Sequence, residues 1–162
     1  MRIITSLRLL LVALWLGAAL FFSAAVAPIV FQVLRGFGLA NANEIAGTIV
    51  THSLAIINTG GFAIGLLVLL AAFFGPPASR LAFLAEVVSL GIVAAMTGLG
   101  QWVISARMLQ LRLALGTIDQ ASPDDPRRVV FNNLHRYSVD ALGIALIAGI
   151  VAFVLIARRN QR

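Results

Sequence analysis

The side chains in this chain that could do chemistry are few, and most stand in apolar surroundings: His52, His135, Glu86 and Asp140, with Gln101, Arg107, Arg136 and Ser138 close to them in register. Imidazole nitrogens ligate transition metals and haem iron, so His52 and His135 together would be the ligand pair of such a centre. Cysteine is absent, which excludes thiolate ligands, disulfides and cysteine nucleophiles. No H-x-x-x-H, D-x-D or E-x-x-H spacing occurs either, and no cofactor is expected. A carboxylate in an apolar segment is costly to charge and therefore calls for a partner. Arg136 precedes Asp140 by four residues on one helix face, which makes an ion pair their expected structural role. Glu86 follows Arg80 by six residues, and its expected structural role is to snorkel to the near surface or pair with Arg80. The sharper readings are a substrate or proton role for Asp140 and a gate or proton relay at Glu86. Ser138 lies one turn beyond His135, but nothing in the sequence orients the two as a catalytic pair. G-x-S-x-G, H-E-x-x-H and P-loop motifs are all missing, so no enzyme is expected.

The elements that must position these residues are apolar helices. No charge falls between Arg8 and Arg35, and none falls from residue 45 to residue 79 with His52 taken as neutral. Glu86 alone interrupts Arg80 to Arg107, and Asp140 alone interrupts Val139 to Ala157. A helix crosses a hydrocarbon core of about 30 Å with about 20 mainly apolar residues. In lipid every backbone polar group must be satisfied within the segment, which leaves the helix as the form of each stretch. The pattern predicts one all-α transmembrane domain over residues 1–162, a four-helix bundle. Its helices span 7–34, 45–74, 78–105 with an extension to 115, and 131–157. The second segment is long for a perpendicular span, so either it tilts or an interfacial turn over 44–52 precedes it. Gly75-Pro76-Pro77 should stop it, because proline removes a donor and clashes with the preceding turn. Residues 119–128 (DQASPDDPRR) read as an aqueous loop.

Composition agrees. The 162 residues are 60% hydrophobic, with a mean hydropathy of +1.00. That is well above a soluble domain. The net charge of +6 is carried by arginines at helix ends and in loops, which suits a bilayer surface. No basic patch with interleaved aromatics marks a nucleic-acid partner. Ala25-Val26-Ala27 resembles a signal-peptidase site, but Pro28 comes directly after it and the apolar run continues, so helix 1 should be retained. Arginines divide six and six between the two sides: positions 2, 8, 80, 158, 159 and 162 against 35, 107, 112, 127, 128 and 136. With the first helix weighted most, both termini are expected in the cytoplasm.

Small residues recur at helical spacing. Gly17, Phe21, Ala24, Pro28 and Phe31 share one face of helix 1. Asn58, Gly61, Gly65, Leu69 and Ala72 share one in helix 2, and Ala141, Ala145, Ala148 and Ala152 one in helix 4. Such faces let backbones approach closely in lipid. They should serve bundle packing or a homo-oligomer through Gly61 and Gly65.

Two stretches, WLGAALFFSAAVAPIVFQVL (15–34) and FNNLHRYSVDALGIALIAGI (131–150), resemble the ends of the transmembrane protein 205-like domain. The matching positions are Trp15, Gly17, Phe22, Ala27, Pro28 and Phe31, with His135 and Ser138 at helix 4. The basic tract 106–112 (ARMLQLR) is similar as well. The resemblance implies a small four-helix membrane protein, of a kind common in bacteria, hence a bacterial inner-membrane location. It implies no activity.

Up-down topology places the ends of helices 1 and 3 and the starts of helices 2 and 4 on one membrane face. His52, Gln101, Arg107, His135, Arg136, Ser138 and Asp140 gather there and form the candidate polar site, with Glu86 as the embedded carboxylate of the other end. The expected function is binding or moving a small solute or ion at that face. The alternatives are a non-catalytic assembly or scaffold subunit, and a haem or metal module built on His52 and His135.

Overall fold

A computed structural model describes residues 2–74, 79–116, 122 and 124–160. The Gly75-Pro76-Pro77 stop and part of the 119–128 loop lie outside the described residues. Among the described residues four helices are long and apolar enough to cross a membrane, and there is no strand. Helix α1 runs from Arg2 through a π-helical turn at Phe22–Val26 to Gly36. Helix α2 spans Ala42–Ala72, and α3 spans Arg80–Leu115 with a π-helical stretch at Leu99–Ser105. Helix α4 spans Pro126–Asn160.

The ends are set by local chemistry. Gly38, at φ 66°, closes α1, its N–H bonding the Arg35 carbonyl; a left-handed residue just past a helix is where glycine carries no steric cost. Gly116 at φ 74° ends α3 in the same way. The Ser79 hydroxyl accepts from the Ala82 N–H and caps the start of α3. Of the two alternatives for the long second segment, the interfacial turn is not the one adopted: the helix is unbroken from Ala42 to Ala72. Helix α4 starts five residues earlier than the apolar pattern indicated. Pro126 supplies a first helical residue with no N–H to satisfy, and the Asp125 carboxylate accepts from the Arg127 N–H at 2.8 Å.

The Arg127 side chain also bonds Asp125, and together these bonds hold the carboxyl at about 2, below its ordinary 3.8. A depressed value means that this cap is fully present above about 3.8 and is lost as pH falls through about 2. The first turn of α4 is therefore expected to fray only in that acid window. Asp125→Ala should fray it at neutral pH. The Arg127 amide chemical shift reports both, and an unchanged shift in the variant would refute the cap.

The helices pack as a ring, each on its chain neighbours, with α4 closing onto α1. Polarity is inverted relative to a water-soluble bundle. Phe21, Ile56, Leu67, Leu70, Leu81 and Ile147 face outward, while Arg8, Glu86, Asn58, Ser89, Thr97 and Ser138 are buried. This is the arrangement expected when lipid is the solvent.

Trp15 forms the central wedge. Its indole N–H donates to the Ile57 carbonyl at 3.0 Å, and its ring lies against Gly61 on α2 and Gly149 on α4. Gly65 meets the backbone of α3 at Ala94, and the alanine row of α4 is buried throughout. These small residues thus serve packing within one chain. Gly61 and Gly65 are covered by Trp15, Thr97 and Ala94 of the same chain.

The helix 1 stripe is a correction. Gly17, Phe21 and Ala24 face outward, and the inward face is Val12, Trp15, Leu16, Ala19 and Phe22. The π-turn adds a residue to one turn and rotates the remainder of the helix about its axis. Pro28 and Phe31 therefore line the space between the helices and do not share one face with Gly17, Phe21 and Ala24.

Candidate functional site

Two clusters of polar side chains occupy opposite ends of the bundle. At the end holding the termini, Glu86 is completely buried and forms ion pairs with Arg8 of α1 and Arg159 of α4, the latter at 2.8 Å. The expected partner Arg80 is exposed and plays no part. Six residues turn a helix by about 240°, so Arg80 and Glu86 point in different directions. Arg8 is 5% exposed, and its Nε has no hydrogen-bond partner among the described residues. The arrangement ties three helices together.

At the other end a cavity of about 540 Å³ opens among all four helices. The π-helical turns border it through Phe22, Ser23 and Ser105. Below them the last part of α1 packs on α2 and the last part of α3 packs on α4, which leaves room between the two pairs. Its inner part is apolar, with Phe22, Leu54, Leu142 and Leu146, and includes the hydroxyl of Ser138. Its outer part is polar, with Asn43, Glu44, Arg112, Asn132 and His135.

Arg112 organises that outer part. Its Nε pairs with the Glu44 carboxylate at 3.3 Å, and Nη1 lies 3.4 Å from the Thr48 hydroxyl. The guanidinium carbon sits 5.8 Å from the centre of the Phe131 ring, within cation–π range. Gly47 permits this placement: a β-carbon there would stand 2.9 Å from Nη2 of Arg112. Nearby, Arg35 donates to the Asn43 side chain at 2.9 Å and lies over Phe31, joining the end of α1 to the start of α2.

Of the seven residues that the sequence assigned to a polar site, the cavity brings together His135 and Ser138. His52 is exposed outside its lining, with its ring Nδ1 at 2.9 Å from the Thr48 carbonyl. Arg107 is exposed and bonds Gln110. Gln101 lies in the second π-helical stretch, and its buried Oε1 has no partner among the described residues. Arg136 and Asp140 are both exposed and form no ion pair with each other. Among the described residues no group of three or more His, Asp or Glu is placed to hold a metal ion.

Sequence reasoning missed Arg112 and Glu44 as a pair, and the membership of Ser23, Thr51 and Asn132. A usable signal was present. Glu44 opens α2 and Arg112 lies in the last turn of α3 on the same membrane face, so the two were placed to meet across the bundle.

The fold and its two polar ends define a polytopic four-helix membrane protein with an amphipathic cavity at one end. Residues 10–115 match the model of a domain of unknown function, DUF4149, and the chain belongs to that family. No curated protein and no solved structure matches it. The matched stretch holds α1 to α3 with both π-helical turns; the cavity residues of α4 lie beyond it.

Proposed function

We propose that the protein binds a small amphipathic molecule in this cavity and holds or moves it at one face of the membrane. The observation that carries this reading is the grading of one cavity from a charged, hydrogen-bonding mouth to an apolar interior. Its volume lies in the range of small-molecule sites. The likeness to the transmembrane protein 205-like domain and a bacterial inner-membrane location with cytoplasmic termini belong to the same reading. The scaffold alternative would need a surface other than Gly61 and Gly65, which Trp15, Thr97 and Ala94 of the same chain cover.

Gly143 offers a clean test. It lines the cavity, and a β-carbon there would meet nothing within 4 Å. Gly143→Phe should fill the site and leave the fold intact. Native mass spectrometry of protein released from lipid nanodiscs should show a retained small-molecule adduct on the wild type and none on the variant. Equal adducts on both, with both folded by circular dichroism, would sink the proposal.

A further inference from the structure

The rim charges of the cavity are already matched. Glu44 and Arg112 pair with each other, their side chains 20% and 16% exposed, and Arg112 is further engaged by Thr48 and Phe131. A charged head entering the cavity would have to break a largely desolvated ion pair and leave one partner uncompensated.

The hydroxyls give an independent indication. Ser23, Thr48, Thr51 and Thr97 each bond the carbonyl four residues back, the usual way a helix satisfies such groups in lipid. Ser138 does not. It is 7% exposed, lines the cavity and has no hydrogen-bond partner among the described residues. A hydroxyl that lines the cavity without a partner in the bundle is free to bond a donor or acceptor of an occupant.

We propose, building on the cavity reading above, that the occupant is an amphiphile with a neutral hydrogen-bonding head received by Ser138. Glu44 is the specificity determinant: by neutralising Arg112 it turns away anionic heads. Hydroxyl, amide and carbonyl heads share this chemistry.

The test compares decanol, decanoate and decyltrimethylammonium at equal bilayer-partitioned concentration, bound to the full chain in nanodiscs and read by native mass spectrometry. The wild type should retain decanol at least about tenfold better than either ion. Ser138→Ala should weaken decanol by roughly threefold to tenfold, the equivalent of one hydrogen bond. Glu44→Gln frees Arg112 and should raise decanoate binding by about tenfold or more, with decanol little changed. Wild-type decanoate binding equal to or tighter than decanol overturns the neutral-head assignment while the cavity reading stands. Failure of all three to bind overturns both. The wild-type comparison decides the assignment even if a variant does not fold.

Discussion

Glu86→Ala is expected to unfold the end of the bundle that holds the termini, and it should be among the most damaging single substitutions in the chain. Glu86 is wholly buried and is the shared counter-ion of Arg8 and Arg159, which are themselves mostly withdrawn from solvent. Removing one member of a buried ionic group leaves the others charged in a poorly polarisable surrounding. Such a break costs about 3–5 kcal/mol in measured cases. For a chain of this size that corresponds to roughly 10 °C in the unfolding midpoint, measured by circular dichroism in detergent. Arg80→Ala is the matched control, and its midpoint should hardly move because Arg80 is exposed. Replacing all three members together, Arg8→Met, Glu86→Met and Arg159→Met, should recover most of the loss, since the penalty lies in unpaired charge. Should Glu86→Ala prove as stable as Arg80→Ala, the ionic group does not hold these helices.

That prediction could not be drawn from the sequence. Charge-free windows long enough to span lipid announce the four helices, because the bilayer imposes one requirement on every residue within it. Helix ends were legible to the degree that their chemistry is local. The gap between the expected helices 7–34 and 45–74 contains Gly38, which closes α1 at positive φ. The Asp125-Pro126 step that starts α4 was available too, but its charges make it read as part of a loop. Partner choice is different in kind. Glu86 lies 78 residues from Arg8 and 73 from Arg159, and nothing short of the assembled ring says that these meet while Arg80 does not. The cavity was also hidden, because its wall includes two π-helical turns. FSAAV and LGQWVIS carry no residue that would mark a π-helix in advance, yet each rotates the helix below it. Asp140 and His52 were thereby assigned to the site from depth alone. Depth was a sound guide to which end of the bundle they occupy and a poor one to which way they face.

Gly61→Ala is expected to destabilise the fold strongly although it adds a single methyl group. The added β-carbon would stand 2.5 Å from the Trp15 Nε1 and 2.8 Å from the Thr97 Cγ2, closer than non-bonded atoms can come. Neither wall can retreat. Trp15 and Thr97 are both buried, the indole is fixed by its bond to the Ile57 carbonyl, and its far edge already lies 2.9 Å from where a Gly149 β-carbon would be. Relief therefore requires the backbones of α1 and α2 to separate. Overpacking of this kind costs about 1–3 kcal/mol. Loss of the indole hydrogen bond adds about 1–3 kcal/mol if the buried Trp15 N–H is left unpaired. Alanine's better helix propensity returns at most about 1 kcal/mol, so the net sign is destabilising. At Gly17 and Gly91 a β-carbon would meet nothing within 4 Å, so the same substitution has only the propensity gain to express. Gly61→Ala should accordingly lower the unfolding midpoint, and Gly17→Ala and Gly91→Ala should raise it slightly. If all three moved together, helix propensity would be deciding the outcome, and the wedge of Trp15 against Gly61 would not be what fixes α1 on α2.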